Sequence, residues 1–346
     1  MFDFLDPDHG SRSKRRVLLY EMLETCRQFE KTEPKDSIYA ILGLIEHGRH
    51  LEGGRAALLE VDYTKSLADI LRDATRYALC ETDDLKAFRE ISHSVDVLAD
   101  SQTFPTWASR ADLLYPAKSF NRLPTFFRAC EGLETPCSLD DVSSGENVLL
   151  LEGLVIDSVL QTTITCVKPI WKGYEAYHQW LVSVSNIAMH YYDKAMQCGP
   201  HLAIAFTLVA GKANSGKKAQ PKDLQVLVEY IKALATCDDG VNSDGLGIKP
   251  RVDKERMDEL YATSLLACCD RRFFATTAGR VGIGPRCMQP EDIVVILRGG
   301  RTPFILRRKS DGYWLLGDAY VHGVMHGEAV QMERDRGGSE VVFPVR

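Results

Sequence analysis

The run Gly211-Lys212-Ala213-Asn214-Ser215-Gly216-Lys217-Lys218 comes close to spelling a phosphate-binding loop. Such a loop cradles phosphates with backbone amides and needs a Ser or Thr hydroxyl after Gly-Lys to hold Mg²⁺. Lys218 stands where that hydroxyl should be. Ala203–Val209 reads as the preceding strand, but Pro221 falls within the first turn of the helix that should follow. A solvated basic loop is the preferred reading, with nucleotide binding as the alternative. His322 and His326 have the i, i+4 spacing of a helical metal pair, with Glu328 nearby. Gly323 and Gly327 oppose a helix there, and no third ligand has suitable local spacing. His322 is therefore expected to be a hydrogen-bonded histidine of a barrel, and His326 a surface residue.

Other chemistry is excluded more simply. Gly279-x-x-Gly282-x-Gly284 lies between strand patterns, not before a helix, so it is no dinucleotide fingerprint. A Gly-x-Ser-x-Gly nucleophile elbow is absent. Cysteines and histidines are too scattered for a Cys–His nucleophile to be named. The pairs Asp83-Asp84, Asp140-Asp141 and Asp238-Asp239 sit in polar stretches and read as solvated loop residues. No catalytic residue, metal ligand or cofactor is assigned, and the chain is not expected to be an enzyme.

The elements that position these residues alternate between helix and strand. Val17–Phe29 has apolar residues at helical spacing, and a short helix through Ile38, Tyr39, Ile41 and Leu42 should stop at Gly43. Leu67, Ile70, Leu71, Ala74 and Ala78 make one buried face of the next helix. Residues 101–145 are loop-rich, with Phe104, Pro105 and Trp107 as anchors. Val148–Ile156 and Thr162–Val167 carry strand formers. Helical spacing returns over 173–197, from Leu224 to Ala235, and from Met257 to Cys268. Beyond Arg272, strands are expected at Ile293–Leu297, Pro303–Arg307 and Tyr313–Val321, joined by Gly299-Gly300 and the hairpin turn Asp311-Gly312. Short strands with tight turns suggest a small barrel, which the strands near residue 150 would complete.

The 346 residues are 45% hydrophobic and 26% charged, enough to bury a core without disulfide or metal support. A net charge of -6 gives no basic field to gather nucleic acid. Ten cysteines without a CxxC pair suit a reducing compartment. No secretory signal opens the sequence and no apolar run reaches the length of a membrane span. A cytoplasmic protein is expected.

Two stretches carry a family resemblance. The first is Arg272-Phe273-Phe274 leading to Gly279, Gly282 and Gly284-Pro285. It continues through Asp292, Gly300, Pro303-Phe304 and Arg307 to Tyr320-Val321-His322-Gly323 and Glu328. The second runs from Leu18 to Leu44, ending in Asp36-Ser37-Ile38-Tyr39 with Gly43, continues through Asp62-Tyr63, and reaches Trp107 and Leu151–Asp157. Together they resemble the C-terminal part of fungal heterokaryon incompatibility proteins, including the terminal barrel. The family's name-giving domain should precede Leu18, where 17 residues stand without its usual segments. One local departure is Pro290-Glu291-Asp292, where the family has glycine before the aspartate.

The expected fold is α+β: an N-terminal helical region plus a small β-barrel interrupted by a helical insertion. The helical region spans 1–145 and the barrel 146–167 and 271–330. The insertion is 168–270, and a C-terminal tail covers 331–346. The motif positions are expected to be architectural: Gly279, Gly282 and Gly284 permit positive φ at turns, Asp292 bonds local amides, and Arg307 pairs with Glu328 or Asp318 as a registry device. The resemblance implies a non-enzymatic regulatory or recognition module of non-self recognition and programmed cell death. It would work through a protein partner or self-association, with no nucleic acid, membrane span, small-molecule ligand or cofactor. The alternatives are a nucleotide-binding or enzymatic protein using Gly211–Lys218, or a truncated family member without independent activity. Whether Met1 is the true start stays open at this point.

Overall fold

The computed structural model describes residues 18–26, 29, 31–45, 58–81, 84–91, 93, 98, 103–113, 126–133, 147–166, 173–193, 198–236 and 262–346. The carboxylate pairs at 140–141 and 238–239, Asp83, and the helical pattern from Met257 to Tyr261 lie outside these residues.

Ile293–Leu297 (β4) is apolar at every position, and all five residues are buried. A strand with no polar face must be covered on both sides, and that requirement organises the molecule. The other strands are β1 (Leu149–Thr162), β2 (Arg271–Thr276), β3 (Val281–Pro285), β5 (Phe304–Lys309), β6 (Gly312–Asp318), β7 (Tyr320–Val321) and β8 (Val341–Val345). They form one sheet in the order β4-β5-β6-β8-β1-β2-β3-β7, and β1 pairs again with β4. The sheet therefore closes into a ring, less regular than a barrel. The fold is α+β as expected.

β1 makes the closure possible. Its first residues pair with β8, its middle with β4, and its end with β2, all antiparallel. Register shifts between Val155 and Asp157 and between Val159 and Gln161 bend it from one partner to the next. The two segments expected near residue 150 are thus one long strand. The segment expected as a tail also differs: 331–346 contains the end of a helix, α7 (Glu328–Asp335), and then β8 on the ring.

Alternate side chains face opposite ways. Leu154, Ile156, Phe274, Val294, Ile296, Ile305, Leu316 and Val321 fill the inside of the ring with Met288 and, from α7, Ala329 and Val330. Ile293, Val295, Leu297, Phe304, Leu306 and Phe343 face outward onto the N-terminal helices α1 (Leu19–Cys26), α2 (Asp36–Ile45) and α3 (Leu67–Cys80). Phe273, Val281, Ile283 and Tyr320 face the insertion. Its helices are α4 (Gly173–Tyr191), α5 (Pro200–Leu208) and α6 (Gln225–Thr236), followed by helical residues 262–268.

Four local expectations are corrected. Gly43 does not end its helix, which runs on to Ile45. Ala203–Val209 is not a strand: α5 runs to Leu208, because a short apolar run fits a buried helix as well as a strand. Residues 70–79 of α3 are all buried, not one face alone. Its polar side chains are paired: Arg72 bonds Asp73 and Asn147, and the Arg76 guanidinium lies 5.1 Å over the Trp107 ring. Finally, Arg307 pairs with neither Glu328 nor Asp318. Asp318 binds Arg271 at 2.7 Å, and Arg271 also donates to the Asp318 carbonyl.

That Arg271–Asp318 pair ties the start of β2 to the end of β6, and both side chains are almost fully buried. Surface ion pairs contribute little, but removing one partner of a buried pair strands the other charge. Asp318→Ala is expected to cost about 3–5 kcal/mol, measured by urea denaturation. Arg271→Met with Asp318→Leu should restore most of that loss.

Candidate functional site

The motif positions divide into two groups. Most hold the fold. Tyr63 Oη donates to Asp36 Oδ1 at 2.6 Å, Tyr39 Oη donates to the Asp62 carbonyl at 2.8 Å, and the two rings meet edge to face. These four residues latch α2 to the turn entering α3, whose N-cap is Ser66. Trp107 is buried and donates to the Asn147 carbonyl. Arg272 donates to the Met288 carbonyl; Phe273 faces the insertion, and Phe274 the ring interior. Gly279 has φ +75 in the β2–β3 turn, where a Cβ would collide with Asp193 beyond α4. Gly282 and Gly284 were expected to supply positive φ. They sit instead in β3, and Gly282 is needed for space: a Cβ there would stand 2.5 Å from the Tyr320 carbonyl oxygen. Pro285 ends β3 opposite Arg271, and Gly300 turns beside Phe304, which meets Phe88 edge to face. The Pro303 carbonyl accepts from Ala319.

Asp292 accepts the Gln289 amide as expected, and in addition takes Arg307 bidentately at 2.8 and 2.9 Å. On the same side of the ring Asp157, at the bulge of β1, takes Arg280 at 3.0 Å along with Thr277 Oγ1 and two backbone amides. Between these pairs lies an open groove of about 890 Å³ bordered by Ser158, Thr277, Gln289, Glu291 and Arg308.

The second group converges where the insertion meets the ring. The Cys198 thiol lies 3.2 Å from His322 Nε2, with the Tyr192 hydroxyl 3.6 Å from the same sulfur. α5 positions the pair: Cys198 precedes its N-cap Gly199, and Phe206, two turns on, stacks on the His322 ring at 5.4 Å and 21°. The ring strand positions the other half, since the His322 amide donates to Val281. Burial pushes the His322 imidazole down to about 4, against the pull of the Glu328 carboxylate. Nδ1 is buried and has no hydrogen-bond partner among the described residues. Gly323 follows with φ +81. Below the pair, Tyr320 is buried against Phe127 and the Gly211 backbone, and its phenol is pushed up, first by burial and then by Glu328.

His326 is not brought to His322. It lies against Phe126 and Phe127, and its amide donates to Glu328 at 2.6 Å. Burial, followed by the Lys218 charge, holds its imidazole below the usual range. Among the described residues no three His, Cys, Asp or Glu side chains gather as metal ligands. The loop 211–218 does not have the geometry that binds phosphate. It follows a helix, and Lys212 and Lys218 bridge each other antiparallel. The amides of Gly211, Lys212, Ala213 and Gly216 all donate within α5 and the loop. Lys212 is buried with its ammonium over Phe127.

Cys198, Tyr192 and Phe206 were missed in the sequence. The one local signal was Cys-Gly-Pro at a helix start; the histidine lies 124 residues away.

Residues 218–338 fit the family model of the Het-6 beta-barrel domain. Over 62 residues the chain is 37% identical to Heterokaryon incompatibility protein 6, OR allele, of Neurospora crassa. That stretch covers 17% of this chain and 9% of the relative's length. No solved structure matches. The chain is thus similar to heterokaryon incompatibility proteins, through a match to the Het-6 beta-barrel domain at residues 218–338.

Glu291, just before Asp292, is a non-glycine residue with strained backbone. It has φ +74, the left-handed region that glycine adopts freely, and its amide donates to the Val159 carbonyl. Glu291→Gly should stabilise the chain by about 1 kcal/mol in urea denaturation, whereas Glu291→Ala should not.

Proposed function

We propose that this chain is a regulatory or recognition module of fungal non-self recognition, acting in the cytoplasm through contacts with a protein partner or a second copy. It holds no substrate and turns nothing over on this reading. The single observation that carries it is how the matched motif residues are used. Asp292–Arg307, Arg272, Phe273, Phe274, Gly279 and Gly282 build and lock the ring. A scaffold specified this tightly presents its exposed loops in fixed positions, which suits recognition. Similarity to a heterokaryon incompatibility protein supports the incompatibility role. Among the described residues no helix is long and apolar enough to cross a membrane.

The test is a heterokaryon assay. Expressing the chain in one of two otherwise compatible fungal strains should lower recovery of viable heterokaryons. The Asp318→Ala chain, destabilised by loss of the buried pair, should restore recovery to the extent that it unfolds. Unchanged recovery with folded chain present in the extract would remove the incompatibility role.

A further inference from the structure

At the seam between insertion and ring, Cys198 meets His322. We propose that Cys198 is a nucleophilic thiol, activated by His322, whose site takes soft electrophiles. Three observations carry this. The sulfur is 3.2 Å from Nε2 and only half buried, so it is both partnered and reachable. It stands one residue before Gly199, the N-cap of the nine-residue helix α5, whose N-terminal dipole favours a developing thiolate. The imidazole is clamped by its stack on Phe206, which holds Nε2 at the sulfur.

The proton has somewhere to go. Burial lowers the basicity of the neutral imidazole, so Nε2, in the tautomer that carries the ring proton on Nδ1, takes the thiol proton as the C–S bond forms and not before it. With iodoacetamide as electrophile, Sγ attacks the methylene carbon. The C–S bond forms, the C–I bond breaks, and iodide leaves with the electron pair. The thiol proton passes to Nε2 and then to water. No oxidant or second reactant is needed.

The other described thiols lack this arrangement. Cys268 is fully buried and donates to the Leu208 carbonyl, and Cys269 faces the Asp270 carboxylate. Burial pushes the thiols of Cys26, Cys130 and Cys166 up, and that of Cys287 up to about 12.

The experiment is site-resolved alkylation of the full chain by iodoacetamide at neutral pH, read by peptide mass spectrometry, folded and in urea. Folding shields ordinary cysteines, so Cys26, Cys80, Cys130, Cys268 and Cys287 should react more slowly in the folded chain. Among the described cysteines, Cys198 alone should react about tenfold faster folded than unfolded. His322→Gln should remove that gain while leaving the other rates unchanged. A Cys198 rate lowered by folding overturns the proposal, as does a gain that survives in a folded His322→Gln chain. If that variant exposes Cys268 and Cys287, it has lost its fold, and the folded-to-unfolded ratio of the natural chain decides alone.

Discussion

The molecule follows from strands that have no face for water. Ile293–Leu297 is buried at every position, and β3 is too. Burying a Val, Ile, Leu or Phe side chain is worth about 1.5–3 kcal/mol, so exposing either face of such a strand would cost several residues' worth. Closing the ring solves only half the problem. It covers the inner row, Val294 and Ile296 among it, but leaves Ile293, Val295 and Leu297 outside. The N-terminal helices cover that outer row, and the insertion covers the outer row of β2 and β3. The helical segments on either side of β1 in the chain are therefore walls of one structure, not appendages to it.

Closure also sets where charge can be placed. Arg271–Asp318, Arg280–Asp157 and Arg307–Asp292 each join different strands or turns of the ring, and each aspartate is almost fully buried. Hydrophobic packing alone would tolerate a shift in how these strands meet. A buried carboxylate would not, because a slip leaves it without its guanidinium. Gly282 acts in the same sense by space instead of charge, since only a residue without Cβ lets β3 lie so close to β7.

How much was legible in the sequence depended on how local the signal was. The β5–β6 hairpin was readable from Asp311-Gly312, and α3 from its apolar spacing, because turn chemistry and helical period are local. Ala203–Val209 was misread because a short apolar run is the same string in a buried helix and a buried strand. β8 was missed since Val341-Val342-Phe343-Pro344-Val345 is brief, contains proline and gains its strand character only beside β1. The family match to 218–338 likewise omits β1 and β8, though the ring cannot close without β1. Partners of charge were the least legible. Composition shows that Arg307 needs a carboxylate, but only the turn before β4 shows that it is Asp292.

The Cys198–His322 pair was invisible for the same reason, yet it differs from the ion pairs in what it contributes. A buried imidazole loses water and regains little here, because one nitrogen meets a thiol, a weak partner, and the other meets nothing among the described residues. A leucine or phenylalanine at 322 would pack on Phe206 without that desolvation cost. The arginine–aspartate pairs explain themselves as registry, since each satisfies the charges it buries. Packing and registry do not account for His322. What remains is the geometry itself: an imidazole nitrogen held against a reachable sulfur at the start of a helix.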